Sequence, residues 1–361
     1  MGRIGWTRGS SWARRTALAA VLAGVVGACA PPPSPQVPPG AGHEGLRVMT
    51  YNLLGAQADA LVYSEHAGWA ARIDQLQPDV LVVQEAQTED VSALRDLPLT
   101  DYVLAVYQTW ECDLKPNREG VAILVRSGVD LLGGGSRHLG ASCVDPTMRR
   151  VLAWADVQLE SGPFRIYGTH LTAGGGAAAA SRNAQIEELR RFAAAQDPDG
   201  ARRWVLAGDV NVTPDSDGYR LLLEGSADSA EAGTLVDTFV EHSPVAADPS
   251  ACPSVADGDT AAMQVLLANS DGVRQCGYAA GWPKDDNWIG CDLLSLCVSW
   301  EQRRDTSVRI RIDDVLRPAG GPVEVLDAVV PNRADPDWAA PGAEWYRLSD
   351  HLPYLVDLAV T

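Results

Sequence analysis

Apolar runs recur along the chain, and most of them end in a polar side chain of a chemically useful type. The runs cover residues 46–51, 79–83, 164–169, 204–208 and 308–312, and they lead into Asn52, Gln84-Glu85, His170, Asp209 with Asn211, and Asp313. In a sixth case the order is reversed, because Ser349-Asp350-His351 precedes an apolar run over residues 352–360. Runs of this length and composition predict β-strands.

Further strands are predicted at residues 102–107, 120–125, 151–158 and 323–329, and helices near 68–76, 178–195, 219–223 and 237–239. The helix at 178–195 is amphipathic, with Ile186, Leu189 and Ala193 at helical spacing. Many strands with interspersed helices predict an α+β fold, a four-layer α/β/β/α sandwich of two mainly antiparallel sheets flanked by helices. In that layout the strand ends share one edge, where polar groups can converge on a ligand.

The N-terminus has the pattern of an export signal. Arg3, Arg8, Arg14 and Arg15 precede an apolar run over residues 17–28, which is too short to span a membrane. The run ends in Val26-Gly27-Ala28-Cys29, which resembles a bacterial lipobox. We therefore expect a signal peptide at 1–28, a lipidated proline-rich tether at 29–45 and a catalytic domain at 46–361, in an extracytoplasmic protein that is membrane-anchored through Cys29 or secreted. An ordinary signal peptide is the alternative.

Six cysteines follow Cys29, an even number in a chain with an export signal, and this favours disulfides over the alternative of a zinc site. Four of them lie in a segment at about 245–305 that we interpret as an insertion, together with Trp282, Trp288 and Trp300. The six are Cys112, Cys143, Cys252, Cys276, Cys291 and Cys297.

Net charge bears on the possible partners. The formal charge is -18, and removal of the leader leaves 25 basic and 47 acidic residues, a net charge of -22. Such a surface repels polyanions and argues against tight, salt-sensitive nucleic-acid binding. It does not exclude an enzyme that approaches phosphate through divalent cations.

Seven motifs occur in a characteristic order. They are Thr50-Tyr51-Asn52, Val83-Gln84-Glu85, Gly120-Val121-Ala122-Ile123, Gly168-Thr169-His170-Leu171, Gly208-Asp209-Val210-Asn211, Arg311-Ile312-Asp313 and Ser349-Asp350-His351-Leu352-Pro353. In this order they resemble the endonuclease/exonuclease/phosphatase superfamily, and the resemblance covers nearly all of the chain after the tether except the insertion. It implies hydrolysis of a phosphodiester bond by a metal-dependent enzyme.

The resemblance implies a metal site and a water-activating pair. Glu85 matches the family's metal-binding glutamate, with Asn52 as the supporting amide and Asp350 as a second carboxylate on the metal side. A hard carboxylate suits Mg²⁺, with Mn²⁺ and Ca²⁺ as alternatives. His351 matches the catalytic base, and Asp313 is expected to orient its ring.

The remaining assignments concern the phosphate. Asp209 and Asn211 match a Gly-Asp-x-Asn signature that orients water and donates to a phosphoryl oxygen. His170 is expected to protonate the leaving oxygen or bind the phosphate, with Glu119 as its carboxylate partner, and Arg149 is expected to contact phosphate. Histidine at position 170 favours the deoxyribonuclease I-like and sphingomyelinase-like branches.

Other branches fit less well. Leu54 stands where exonuclease III relatives have an acid, and the Asn-Trp-Arg pattern of the inositol polyphosphate phosphatases is missing. The leading interpretation is a secreted deoxyribonuclease I-like endonuclease. The first alternative is a sphingomyelinase or phospholipase C-like enzyme that cleaves a phospholipid headgroup, and the second is a non-catalytic surface binding protein on the same scaffold. No protein partner is implied.

Overall fold

A computed structural model describes most of the chain after the leader and the tether. The residues described are 44–53, 73–74, 76–95, 97, 101–110, 119–140, 149–227, 229, 233–243, 289–291, 297–299, 312–330, 351 and 353–361.

Sheet 1 is built from the first and the last parts of the domain. Its strands are β1 (Glu44–Asn52), β2 (Val80–Ala86), β3 (Tyr102–Thr109), β4 (Gly120–Arg126), β13 (Val323–Val329) and β14 (Tyr354–Val360). The strand order is β13-β14-β1-β2-β4-β3. Only β1 and β2 pair in parallel, and the other neighbours in this sheet are antiparallel.

Sheet 2 is built from the middle of the domain. Its strands are β5 (Asp130–Leu139), β6 (Arg150–Leu159), β7 (Gly162–His170), β8 (Trp204–Asp209), β9 (Leu235–Asp237) and β12 (Asp313–Pro318). The strand order is β5-β6-β7-β8-β12-β9, with β7 and β8 as its parallel pair. A separate antiparallel pair is formed by β10 (Ile289–Cys291) and β11 (Cys297–Ser299).

The two sheets pack face to face around an apolar core. Gly168 of β7 lies so close to sheet 1 that a Cβ atom there would be 2.8 Å from Val82 Cγ1 and 3.2 Å from Ile123 Cδ1. Every residue of β8 is buried, and in β2 only Glu85 is partly exposed. Strands that are buried on both faces require a further layer on the outside of each sheet.

Helices provide those outer layers. They are α1 (Thr88–Arg95), α2 (Ala177–Ala195), α3 (Asp217–Glu224) and α4 (Thr238–His242). Helix α2 buries Ile186, Leu189 and Ala193 in a cluster with Leu206 and Leu316 of sheet 2, as its apolar periodicity predicted. The α+β sandwich of two mainly antiparallel sheets flanked by helices is therefore confirmed. None of the described helices has the length and apolar composition needed to span a bilayer.

Some boundaries differ from the sequence prediction. Asp313 is the first residue of β12, and most of the strand predicted at 308–312 lies outside the described residues. Strand β1 begins at Glu44, inside the segment assigned to the tether. Strand β5 and helix α1 were not predicted. The Gly133-Gly134-Gly135 run of β5 has low strand propensity, but a Cβ at Gly134 would lie 2.8 Å from the Ala105 carbonyl oxygen, so the close approach of β3 and β5 requires glycine.

Several predictions fall outside the described residues. These are the signal peptide, Cys29 and most of the tether, Leu54, most of the helix at 68–76, nearly all of the insertion with Trp282, Trp288 and Trp300, Asp350, and the side chains of the six cysteines. The backbone register places Cys291 opposite Cys297 in the β10–β11 pair.

Candidate active site

Three site side chains lie in a row across sheet 2. The β7–β8 register places His170 opposite Asp209, and the β8–β12 register places Asp209 opposite Asp313. Residues two positions apart on a strand point to the same face of the sheet. Two positions away from the three site residues lie Gly168, which faces the other sheet, and Ala207 and Val315, which belong to the core between the sheets. The three site side chains therefore lie on the inner face of sheet 2. All three are buried. The edge of sheet 2 thus presents an imidazole and two carboxylates side by side.

Sheet 1 contributes an amide and a carboxylate to the same place. Asn52 ends β1, and its Nδ2 donates to Glu85 Oε1 at 3.2 Å and to Asp209 Oδ2 at 3.1 Å. Asn52 therefore joins a carboxylate of its own sheet to a carboxylate of the opposite sheet. The predicted support of Glu85 by Asn52 is present in the structure.

Two site residues have a backbone conformation that side chains usually avoid. Glu85 has a φ of 54° at an irregularity of the β2–β4 pairing, and Asn211 has a φ of 53°. Asn211 is held there by two hydrogen bonds, since its backbone N donates to Asp209 Oδ1 and its Nδ2 donates to the Leu171 carbonyl, both at 3.0 Å. Non-glycine residues in this region cost free energy and are concentrated at functional sites.

His351 is oriented by Asp313. The His351 ring nitrogen Nδ1 lies 2.8 Å from Asp313 Oδ2, a distance at which the N–H donates to the carboxylate. Nε2, the other ring nitrogen, then lacks a proton and lies 3.8 Å from Asp209 Oδ2. The predicted His351–Asp313 pair is present, and its basic nitrogen faces the interior of the site.

Asp209 lies at the centre of the site. Its Oδ2 is 3.5 Å from His170 Nε2 as well as 3.8 Å from His351 Nε2. Burial raises the pKa of Asp209 from 3.8 to about 7, and the charges of Asp313 and Glu85 act in the same direction. The positive form of His351 and the hydrogen bond from Asn52 oppose this rise.

His170 has an aromatic and a cationic neighbour. The Trp110 ring meets the His170 ring edge-on, with centroids 5.2 Å apart, and Cζ of Arg150 lies 4.0 Å from the Trp110 ring centroid. Burial, and then the positive charges of Arg150 and His351, lower the pKa of His170 well below its usual value of 6.5. At neutral pH His170 is therefore uncharged.

Two predicted partners lie elsewhere or make other contacts. Nδ1 of His170 is buried and has no hydrogen-bond partner among the described residues, which include Glu119, so the carboxylate of Glu119 does not orient the ring through that nitrogen. Glu119 is itself buried, and its carbonyl accepts from the Trp110 backbone N. Arg149 Nε donates to the Gly140 carbonyl, and it is the adjacent Arg150 whose charge acts on His170.

The site has the donors that a divalent cation requires. Ligand atoms of Asp209, Asp313 and His351 lie within 4.8 Å of one another, and Glu85 is joined to Asp209 through Asn52. Asp313 Oδ1 is buried and has no hydrogen-bond partner in the part of the chain that the structure describes. Buried carboxylates that lack enough compensating positive charge favour a bound cation, and oxygen donors favour a hard one. These residues therefore fit a divalent metal ion.

Sequence reasoning missed Trp110 and the role of Arg150. Trp110 follows an apolar run, as the other site residues do, but it was overlooked because only ionisable or amide side chains were considered at strand ends. Arg150 was recognised only as a neighbour of Arg149. The position of Trp110 at the end of β3 was the available signal.

The comparisons with known proteins bear on the fold and the family. No curated protein matches the sequence. Among solved structures, the human Nocturnin catalytic domain with a bound sulfate anion is 19% identical, with a TM-score of 0.55 over 88% of this chain and 98% of that chain. An endonuclease/exonuclease/phosphatase from Bacteroides vulgatus is 18% identical, with a TM-score of 0.55 over 88% and 100%. Truncated Caenorhabditis elegans TDP2 is 17% identical, with a TM-score of 0.54 over 88% and 98%.

These structures share the fold with this chain. The profile of the endonuclease/exonuclease/phosphatase family matches residues 49–351, a range that includes the site residues from Asn52 to His351. The chain therefore belongs to the endonuclease/exonuclease/phosphatase family.

Proposed function

We propose that the protein is a metal-dependent phosphodiester hydrolase, and more specifically a deoxyribonuclease I-like endonuclease. The observation that supports it most strongly is the arrangement around Asp209. Its Oδ2 lies between Nε2 of His170 and Nε2 of His351, and the His351 ring is held by Asp313. This arrangement provides a base, an oriented carboxylate and a neutral imidazole at one point.

Water activation is assigned to His351. Its Nε2 is the unprotonated nitrogen and can accept a proton from a water molecule that Asp209 orients. The Asp313 carboxylate stabilises the imidazolium that forms, because it accepts the hydrogen bond from Nδ1. Attack of this water on phosphorus then breaks the bond to the leaving oxygen, which departs with the bonding electron pair and takes up a proton from solvent. The His351 imidazolium returns its proton to solvent.

Phosphate binding is assigned to the opposite side of Asp209. His170 is neutral, which favours its role as a hydrogen-bond partner of a phosphoryl oxygen over that of proton donor. Asn211, fixed by its own backbone and side-chain hydrogen bonds, lies next to it in the strand-end loop. Arg150 adds a positive charge near His170 that stabilises the phosphoryl oxygens. Arg149, the contact expected from the sequence, remains a proposal.

A divalent ion, for which we propose Mg²⁺, would be held by Glu85 with the support of Asn52. Glu85 is suited to this because it is partly exposed and is joined through Asn52 to the buried carboxylate of Asp209. When bound, the ion would neutralise charge on the phosphoryl oxygens. Asp350 is proposed as a further ligand from the sequence alone.

The enzymatic proposal is tested with the purified mature protein. With Mg²⁺ present, it should hydrolyse bis-p-nitrophenyl phosphate, and His351→Ala should lower kcat by about 100-fold or more. The matched control is His242→Ala, because His242 is half-exposed and forms an ion pair with Asp327 outside the site. Absence of turnover on diesters and monoesters with Mg²⁺, Mn²⁺ and Ca²⁺ would overturn the proposal and favour a binding protein.

The natural substrate is tested by comparing two diesters, DNA and sphingomyelin, in parallel assays. Plasmid DNA and sphingomyelin vesicles are incubated with equal amounts of enzyme. Nicking of the plasmid, abolished in His351→Ala, supports the endonuclease. Release of phosphocholine without nicking of the plasmid would contradict the endonuclease and favour the lipid phosphodiesterase.

The location of the protein is also a proposal. We infer export and lipid attachment at Cys29 from the leader pattern alone. The test expresses the full chain in a bacterial host with labelled palmitate and follows its membrane fraction. Cys29→Ser should abolish the label and release the protein, and a labelled Cys29→Ser variant would contradict the anchor.

A further inference from the structure

Three buried side chains form a stack beside Asp209. Trp110 is 2% exposed, Arg150 is 7% exposed and His170 is 3% exposed. The Arg150 guanidinium lies over the face of the Trp110 ring, with Cζ 4.0 Å from the centroid. The His170 ring meets the same ring edge-on, at 5.2 Å and an interplanar angle of 80°. Trp110 therefore contacts both a cation and an imidazole of the site.

The stack connects the two sheets at the end where the polar residues are collected. Trp110 follows edge strand β3 of sheet 1, and its backbone N donates to the Glu119 carbonyl at 3.0 Å. Arg150 and His170 belong to neighbouring strands of sheet 2, since the β6–β7 register places Val151 opposite His170. Trp110, which directly follows the last residue of β3 in sheet 1, thus packs against Arg150 and His170 of sheet 2.

Simple core packing does not account for this arrangement. Burial of a guanidinium opposes folding, because the charge loses its hydration. A leucine or methionine at position 150 would fill the space without a buried charge, so the positive charge beside His170 is the property that needs an explanation.

Resting on the function proposed above, we propose that Trp110 is a positioning residue that holds the Arg150 guanidinium and the His170 imidazole together as one phosphate-binding unit. The Trp110 face fixes the plane of the guanidinium, and the ring also fixes the tilt of the imidazole. Since no described residue hydrogen-bonds to Nδ1 of His170, the Trp110 contact takes over the orienting role expected of a carboxylate. The ligand of the unit is the anionic phosphoryl group of the diester.

The first experiment replaces the ring in steps. Trp110→Phe and Trp110→Tyr retain an aromatic face of weaker cation attraction, whereas Trp110→Leu removes it. We expect kcat/KM on bis-p-nitrophenyl phosphate to fall by about 30-fold in Trp110→Leu and by about 3-fold in the aromatic variants. Rescue by an aromatic ring distinguishes the stack from loss of apolar volume.

The matched control is Trp154→Leu. Trp154 is a partly buried tryptophan of β6 that also contacts an arginine, with Arg165 Cζ at 5.8 Å from its ring, but it lies opposite Tyr167 in the middle of sheet 2. Trp154→Leu should lower the melting temperature and leave kcat/KM within about 2-fold of wild type. If Trp110→Leu shows only the same pattern, Trp110 is ordinary packing and the inference is overturned.

A double-mutant cycle tests the connection to Arg150. After Arg150→Met, the further change Trp110→Leu should cost much less than it costs in the wild type, because the cation that Trp110 positions is already gone. If the double variant loses kcat/KM by the product of the two single-variant factors, the two residues act independently and the inference is contradicted.

A binding measurement separates this inference from the proposed function. Inorganic phosphate is titrated into each protein by calorimetry, and circular dichroism confirms that each variant is folded. Trp110→Leu should raise the phosphate dissociation constant by about 10-fold relative to Trp154→Leu. If the wild type hydrolyses no ester, the proposed function fails and this constant alone decides about the stack, with an unchanged constant overturning it. If Trp110→Leu does not fold, Trp110→Tyr and Trp110→Phe take its place in the same comparison.

Discussion

Nδ1 of His351 lies 2.8 Å from Oδ2 of Asp313, although the two residues are 38 positions apart in the sequence. Asp313 is the first residue of β12, and His351 stands just before β14. The contact therefore joins the start of a sheet 2 strand to the entry of a sheet 1 strand.

Because of this contact, we expect Asp313 to be needed for the action of His351 as a base and not for substrate binding. Asp313→Asn keeps the shape but no longer stabilises the imidazolium, so we expect kcat to fall by about 100-fold with little change in KM. Steady-state kinetics on bis-p-nitrophenyl phosphate measures this. The control is Asp314→Asn on the same strand, also buried. An equal loss in both variants would mean that β12 is merely destabilised.

Glu85 is predicted to control metal affinity. Glu85→Gln retains the size of the side chain but not its charge, so the Mg²⁺ dissociation constant should rise by about 10- to 100-fold. Isothermal titration of metal into EDTA-treated protein measures this, and activity should return at high Mg²⁺. Glu160→Gln, an exposed acid in the turn after β6, serves as control. Unchanged metal affinity in Glu85→Gln would remove Glu85 from the site.

Asp209 should make stability depend on pH when no metal is bound. Its folded-state pKa of about 7 lies above the ordinary aspartate value of 3.8. Protonation is therefore favoured by folding, and the stabilisation that it provides is fully present below pH 3.8 and is lost as the pH rises through 7. In Asp209→Asn, which cannot ionise at this position, this loss of stability with rising pH is absent.

Urea unfolding in EDTA at several pH values between about 5 and 8 tests the prediction. The free energy of unfolding of the wild type should fall, relative to Asp209→Asn, as the pH rises. Hydrogen bonds lost in the variant shift its curve by a constant and leave this slope intact. Parallel curves for the two proteins would show that the pKa of Asp209 is not raised.

Gly208 is predicted to be irreplaceable. It has a φ of 151°, and a Cβ there would lie 2.0 Å from the Thr169 carbonyl oxygen, next to His170 and Asp209. Gly208→Ala should force β7 and β8 apart and cost about 3 kcal/mol or more in unfolding free energy. In the control Gly133→Ala a Cβ meets no atom within 4 Å. Chemical denaturation compares them, and similar stabilities would refute the steric argument.

The fold was largely predictable because most residues in the strands of the core are apolar. The run at 323–329 matches β13 at both ends, and the amphipathic pattern of Ile186, Leu189 and Ala193 identified α2 and its buried face. Strand β5 was missed because its glycine run has low strand propensity, and the close approach of β3 to Gly134 is not visible in any local sequence pattern.

The site was predictable where a polar residue ends its own strand. Asn52, His170 and Asp209 were found in this way, and the registers bring them together. The stack of Trp110 and Arg150 was not predictable, because these residues belong to different sheets and their contact depends on how the sheets pack. Asp313 was chosen because it follows the predicted strand at 308–312, and in the structure it is the first residue of β12.

The place of β14 between β1 and β13 has a consequence for folding. Arg47 of β1 donates to Asp357 of β14 across 310 positions of the sequence, so this pairing closes a very long loop. His351 directly precedes β14, and the pairing that completes sheet 1 therefore also carries the proposed base to its place. Local opening of β14 would separate His351 from Asp313 while the strands of sheet 2 remain paired.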